Sequence, residues 1–466
     1  MRHVFWKAQF IWSCGVLHVK CVSDNKGFEF IMKIIKTEYQ IFMHEHKSYI
    51  FIRKQNRDLS RYFHDSISPD PLNQEVLIRL IMKTEKVMGV KIHIYRKEIE
   101  KDIIFETESK EIKILESFAE TFLLELEKFY EEHEVHVTRM FGSFIYLERV
   151  EGELKAIKAT PVPIQHCPLM KKLLIEVGGK EAEVLLSSIK QRNTHSQSEM
   201  MCRLVDEVVI KGGYFNTSRP LNSCEANVMF GASEIMSTAF RSGLIDAAVI
   251  VSNNLGTIIT TNESNTQGAV KRMTGLFLTS PSRKITKRAQ ESKIMPVFPH
   301  TAAIDQLEGV RLAIALGYKR IAVSVAWMDN ILLDEISKLE ENGVILYKFG
   351  VCTTGIDTKA AKAMQNHADM IWSCASKMIR NHIVENAIAQ IGVKIPVYVM
   401  SDRGWVLVKN HLALTGKEQG KKPISMEQIV CKKGKDRPVV LNDINQFTVI
   451  TAKELLECVD CPQPCV

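Results

Sequence analysis

"RIAVSVAWMDNILLDEISKLEENGVILYKFGV", residues 320–351, runs from one almost continuously apolar stretch through a helical pattern into a second apolar stretch. Neither apolar stretch alternates with polar residues, so a strand formed there is covered on both faces, as in a parallel sheet between helices. A parallel pair also needs a crossover, and the helix pattern between them supplies one. The same order continues on either side. The helix pattern "ANVMFGASEIMSTAFRSGLI" (226–245) precedes the strand "DAAVIVS", and "AIDQLEGVRLAIALGY" (303–318) leads into "RIAVSVA". Downstream come the helix "DTKAAKAMQNHA" (357–368), the strand "DMIWSC" (369–374), the helix "SKMIRNHIVENAIAQIG" (376–392), the strand "KIPVYVM" and the helix "DRGWVLVKNHLALTG" (402–416). This alternation predicts an α/β class with a parallel, Rossmann-like sheet and helices on both faces over residues 160–416.

Ahead of it, "SYIFIR", "KIHIYRK" and "FGSFIYLERV" read as strands around the amphipathic helix "KILESFAETFLLELEKFYEEHE", an N-terminal α+β domain over 32–155. Residues 1–31 form an extension with a faint likeness to a lipoprotein leader, and Met32 is the favoured start. The proline-bearing "PVPIQHCPLMKKLL" (161–174) reads as a hinge, and 417–466 as a loop-rich tail. The 466 residues are 45% hydrophobic and 25% charged, ordinary for a globular chain, and no stretch approaches about 18 uninterrupted apolar residues. The net charge is +7, but its lysines are scattered in runs such as "KITKRAQESK" and "CKKGKDR" without interleaved aromatics, which argues against nucleic acid. Eleven cysteines, an odd number, fit a reducing cytoplasm better than a disulfide scaffold.

In an open parallel sheet the ligand lies beyond the carboxyl ends of the strands. That nominates "SNNLGTIITTN", "AWMDN", "VCTTGID", "SCASK" and "SDRGW". Thr353, Thr354, Ser376 and Ser401 stand where they cap helices, and the free N–H groups beside them suit an anion. Lys377 and Arg403, each just inside a helix start, add positive charge, with Asp402 as a local counter-charge. Cys374 and Cys352 fall at strand ends on the same edge. A thiol there has its thiolate favoured by the helix N-terminus and by Lys377, which makes Cys374 a candidate nucleophile or proton carrier and Lys377 its companion. The alternative is that both cysteines only fill space.

The tail "CVDCPQPCV" spaces Cys458, Cys461 and Cys465 as C-x2-C-x3-C, a pattern able to hold an iron–sulfur cluster or zinc with a fourth ligand such as Cys431. His44, His46, His133 and His136 read as solvated groups, and His166 sits beside Cys167. No P-loop, GxGxxG, HExxH or GxSxG pattern occurs, which argues against nucleotide hydrolysis, zinc proteolysis and α/β-hydrolase chemistry.

Several phrases in one order, "CPLMKKL", "GLIDAAVIVSNNLGTIITTNESNTQG", "IDQLEGVRLAIALGYKRIAVSVA", "CTTGID", "DMIWSCASK" and "IPVYVMSDRG", resemble methanogenesis marker protein 8 over about residues 160–425. The resemblance implies an accessory role that binds a cofactor or a protein partner in metabolism linked to methyl-coenzyme M reductase, the nickel-tetrapyrrole enzyme of methane formation. It establishes no reaction and so transfers no catalytic residue. The matching positions that bear ligand-type groups are Asn254, Gly256, Asp305, Glu308, Thr353, Thr354, Cys374, Ser376, Lys377 and Arg403. Three departures stand out: the first 150 residues or so are additional, Cys352 replaces a histidine expected before "TTG", and the tail cysteines are peculiar to this chain. Beside the accessory reading stand an enzyme acting on a small anionic metabolite through Cys374, and a redox protein using the tail.

Overall fold

The computed structural model describes residues 128–415, except 129, 133, 165–166, 191–193, 226–227, 229, 271–274, 330, 384–385 and 393–395, and beyond that range the backbone of nine strands. β1 (Ala8–Ser13) and β2 (Val16–Cys21) pair antiparallel. β3 (Tyr39–Met43), β4 (Tyr49–Lys54), β5 (Leu77–Met82), β6 (Met88–Arg96) and β7 (Ile99–Thr107) form an antiparallel meander in chain order.

Next come β8 (Val135–Met140), β9 (Ser143–Val150) and β10 (Glu153–Ala159), then α1 (Pro168–Lys190) and α2 (Thr194–Leu204), which runs into a π-helical turn at Val205–Ile210. They are followed by α3 (Ala232–Arg241), β11 (Ala247–Ser252), β12 (Gly256–Thr260), α4 (Glu263–Val270), β13 (Leu276–Thr279), α5 (Arg283–Glu291), β14 (Met295–Pro296) and α6 (Gln306–Ala315). The remainder is β15 (Arg320–Ala326), α7 (Ile331–Lys338), β16 (Ile345–Val351), α8 (Thr358–His367), β17 (Met370–Trp372), α9 (Lys377–His382), β18 (Ala389–Ile391), β19 (Val397–Val399), α10 (Asp402–Thr415), β20 (Gln428–Lys432) and β21 (Thr448–Ala452). No helix among the described residues is long and apolar enough to cross a membrane.

The large sheet has the order β14-β12-β11-β15-β16-β17-β19-β18-β20-β21. Its centre, β11, β15, β16 and β17, is parallel. On one side β12 and β14 run antiparallel, and on the other so do β19 and β18 in turn. The expected parallel sheet is thus confined to four neighbouring strands of a mixed sheet. The expected helix 376–392 is likewise split, because Ala389–Ile391 pairs with β19 as a strand.

Alternate residues of the central strands enter two apolar clusters. Val249, Ile321, Val323, Leu346 and Ile371 pack with α6, α7 and α8 on one face. Ala248, Ile250, Ala322, Phe349 and Met370 pack with α3, α5 and α10 on the other. The strands advance in one direction, β11 to β17, with α6, α7 and α8 all on the first face. The order never reverses among them, so they lack the switch-point crevice where ligands of doubly wound sheets sit.

A second sheet, β10-β9-β8-β13, takes three strands from before residue 160 and one from after it. Phe141-Gly142 and Glu151-Gly152 make its two-residue turns, with φ of 49° and 77°, and 52° and 81°. Paired positive φ is the mirror-image turn that matches strand twist, and glycine in second place lowers its cost. At the β10 bulge the Ala156 N–H donates to Asp206 Oδ1 at 2.7 Å, so the π-helical turn satisfies a group the ladder leaves over. One face of this sheet, through Val135, Val137, Phe144 and Tyr146, joins the α6–α8 cluster together with Val325, Trp327 and Ile356 at the carboxyl ends of the central strands. Its other face packs Ile145 and Leu147 on α1, α2 and Phe215. The small sheet therefore roofs the carboxyl edge of the large one.

Gly256 begins the strand that returns from this edge, at φ 63°, and a β-carbon on it would strike the main-chain oxygens of Ala302 and Ala303. Gly256→Ala is expected to cost more than about 2 kcal/mol in denaturant unfolding, since both strain and backbone displacement apply. Gly152→Ala, where φ is 81° but nothing lies within 4 Å, is expected to cost only about 1 kcal/mol.

Candidate site at the roofed strand ends

β11 ends in Asn253 and Asn254, both fully buried, with Asn254 in the left-handed region at φ 57°. The Asn254 N–H donates to Thr279 Oγ1 at 2.8 Å, and Thr279 Oγ1 lies 2.7 Å from His136 Nδ1. His136 Nε2 lies 2.9 Å from Glu134 Oε1, and the same oxygen accepts from Asn254 Nδ2 at 2.8 Å. With the imidazole proton on Nε2, Thr279 donates to His136 and His136 to Glu134, so the circuit that leaves Asn254 returns to it. Arg149 closes on the other Glu134 oxygen. Burial on its own would raise the Glu134 carboxyl, but His136, the Asn254 amide and Arg149 outweigh it and bring it down to about 2.

His136 is completely buried, with its ring against Phe215 at 4.7 Å, so the expectation of a solvated histidine fails. It occupies the second position of a strand covered on both faces rather than a helix end. His44, His46, His133 and His166 lie outside the described residues.

At the other end of the seam, β16 and β17 run into Cys352 and Cys374, both partly buried and both left-handed, at φ 56° and 47°. The Thr353 hydroxyl donates to the Trp372 carbonyl at 2.7 Å, which fastens the two strand ends together. A β-carbon at Gly275, just before roof strand β13, would lie 3.3 Å from Cys352 Sγ. One at Gly355 would lie 3.3 Å from the Arg139 guanidinium. Desolvation pushes the Cys374 thiol up, and it outweighs the Thr353 N–H and hydroxyl and the charges of Arg139 and Arg380, which favour the thiolate. Arg380 also donates to the Cys374 carbonyl at 3.2 Å. β8 thus crosses the strand ends, from Glu134 over β11 to Arg139 near β16 and β17.

Of the residues nominated from sequence, Asn254, Thr353 and Cys374 lie in this seam, with Thr354 buried close by. Ser376 accepts from the Ile379 N–H at 3.2 Å as the cap of α9, and Lys377 is exposed at its start. Asp305 caps α6 at 3.0 Å from the Glu308 N–H, and Glu308 pairs with Arg311. Arg403 stands apart. Because β19 is antiparallel to β17, the loop after it lies at the amino edge, where Arg403 pairs with Glu340 and donates to the carbonyl of Leu346 in the first turn of β16. Lys377 and Arg403 are therefore on opposite edges of the sheet. Cys458, Cys461 and Cys465 lie outside the described residues, as does the side chain of Cys431. Among the described residues no three His, Cys, Asp or Glu side chains are grouped to hold a metal ion.

Glu134, His136, Arg139, Arg149, Thr279 and Arg380 were not nominated. The available signal was the "EVHV" alternation, but only the pairing of β13 with β8 brings Thr279 to His136.

A carboxyl lowered from an ordinary 4.5 to about 2 contributes stability on the order of 3 kcal/mol that is present above pH 4.5 and lost as pH falls toward 2. Urea unfolding at pH 7, 4 and 3 is expected to show Glu134→Gln less stable at pH 7 and with a shallower loss on acidification. Equal slopes in the two proteins would remove Glu134 from this role.

The span matched by a known family begins in β9. Residues 149–413 match the model of a family described as an uncharacterized protein conserved in archaea, DUF2099. The chain is also 31% identical over 287 residues to the uncharacterized protein MJ0054 of Methanocaldococcus jannaschii, an alignment covering 61% of this chain and 93% of that one. Asn254, Thr279, Cys352, Cys374 and Arg380 fall inside the family match, whereas Glu134, His136 and Arg139 precede it. The chain belongs to this archaeal family, DUF2099.

Proposed function

We propose that the chain is an accessory protein that binds a small anionic ligand in the seam between roof and strand ends. The observation that carries this reading is the gathering about Cys374 of the Thr353 N–H and the Arg139 and Arg380 charges, with Arg380 donating to the Cys374 carbonyl at 3.2 Å. Donors and guanidinium groups gathered where water is largely excluded suit an anion, because charge-assisted hydrogen bonds strengthen there. Resemblance to methanogenesis marker protein 8 supports placing the ligand or a protein partner in metabolism linked to methyl-coenzyme M reductase. The odd cysteine count supports a reducing, cytoplasmic setting. Tail cysteines 458, 461 and 465 support an iron–sulfur or zinc site by spacing alone.

Binding ranks ahead of nucleophilic catalysis because burial raises the Cys374 thiol, and a nucleophile near neutral pH needs the thiolate. Two measurements test this. Anaerobically purified protein analysed by native mass spectrometry is expected to carry a small anion that Arg380→Gln loses. A wild type that carries none, from cells able to make the ligand, would contradict the reading. Iodoacetamide labelling at pH 7, followed residue by residue, is expected to modify Cys374 at least tenfold more slowly than free cysteine. Labelling faster than free cysteine would restore the enzyme reading.

A further inference from the structure

At the β11 end of the seam the charges do not balance. Arg219, on the loop that leads from Phe215 toward α3, donates to the Asn216 carbonyl at 3.3 Å, Ser252 Oγ at 3.3 Å and the Asn253 carbonyl at 2.5 Å. Arg288, from α5, donates to the carbonyls of Thr217 at 2.5 Å and of Arg219 itself at 3.0 Å. Every one of these acceptors is neutral. Among the described residues neither guanidinium pairs with a carboxylate, and Glu134, whose charge favours the Arg219 guanidinium, is already occupied by Arg149, His136 and Asn254. Desolvation and the Arg288 charge both push Arg219 below the usual guanidinium range, so each arginine meets the other as a like charge. Two like charges held together with only part of their surface in water are costly unless a counter-charge joins them.

We propose that Arg219 and Arg288 form an anion site for an oxyanion of the phosphate class. Each guanidinium carries five N–H donors; Arg219 uses three and Arg288 two, which leaves two and three without a partner among the described residues. Two planar forks with that many free donors suit an oxyanion offering at least three oxygens better than a carboxylate with two. Asn253 Oδ1, buried and without a hydrogen-bond partner among the described residues, adds an acceptor for a proton on the ligand. The main-chain bonds hold both side chains in place before the ligand arrives, which lowers the ordering cost of binding. The site stands on its own side chains and does not need the Cys374 end to bind anything.

Inorganic phosphate is the probe, titrated by calorimetry and by thermal unfolding at constant ionic strength, with chloride as the reference. Wild type is expected to bind phosphate saturably and to unfold at a higher temperature in phosphate than in chloride. Arg288→Gln is expected to weaken binding at least tenfold, and Arg288→Lys, which keeps the charge but not the fork, by a lesser factor. Lys287→Gln, on the exposed side of the same helix, is expected to bind as wild type does. Loss of binding in Cys374→Ser with retention in Arg288→Gln would move the phosphate to the other end of the seam and overturn this site while leaving the proposed function standing. A wild type that responds to phosphate no more than to chloride, or a folded Arg288→Gln that binds as tightly as wild type, overturns the site outright. If Arg288→Gln fails to fold, the Arg288→Lys comparison and the wild-type titration decide the matter.

Discussion

Glu134 accepts hydrogen bonds from His136, Asn254 and Arg149 where water has little access. A buried carboxylate is tolerated only when its donors replace the lost solvent, and removing any one of them leaves charge uncompensated. Here the donors come from both sheets: His136 from the roof strand itself, Arg149 from its neighbour, and Asn254 from the end of β11. The carboxylate therefore fixes where the roof sits on the large sheet, and the Thr279–His136 bond fixes β13 by the same circuit. Apolar packing of Val135, Val137 and Phe144 on Trp327 and Ile356 supplies area, but packing alone is non-directional. The polar circuit supplies the register.

Much else depends on this placement. The four parallel strands carry their crossovers on one face and so make no crevice of their own, yet their ends still gather left-handed residues and helix starts. Covered by a second sheet, those ends become an enclosed seam rather than an open cleft. In such a place guanidinium groups gain strength toward an anion and thiols lose acidity, and Cys374 shows both influences at once. On the proposed reading the seam holds a charged ligand rather than activating a thiol.

The alternation of strand and helix was legible in the sequence because β15 and β16 are apolar on both faces, whereas the run read as a strand from Phe141 starts at Ser143, after the Phe141-Gly142 turn. Strand direction was not legible. β18 is three residues within a run of helical spacing, and only pairing partners reveal that β19 is antiparallel, which is why Arg403 belongs to the amino edge. Nor was the roof. A histidine between Val135 and Val137 reads as solvent-facing when one face is assumed wet, and nothing nearby in sequence announces that Phe215 covers it. Cys374 was legible as a strand-end thiol, since position follows from pattern, whereas its raised pKa follows from burial, which the local pattern does not announce.

The chain belongs to DUF2099 and is 31% identical over 287 residues to a protein of Methanocaldococcus jannaschii, and the family match at residues 149–413 takes in the strand ends and the loops over them. Glu134, just ahead of the roof strand β8, lies before the family match, and its bonds to His136, Asn254 and Arg149 tie the roof to the strand ends. A double-mutant cycle on Glu134→Gln and Asn254→Ala, read by urea unfolding at pH 7, tests this tie directly. The account predicts a coupling of about 1–3 kcal/mol between the two sites. Additivity within about 0.3 kcal/mol would contradict it.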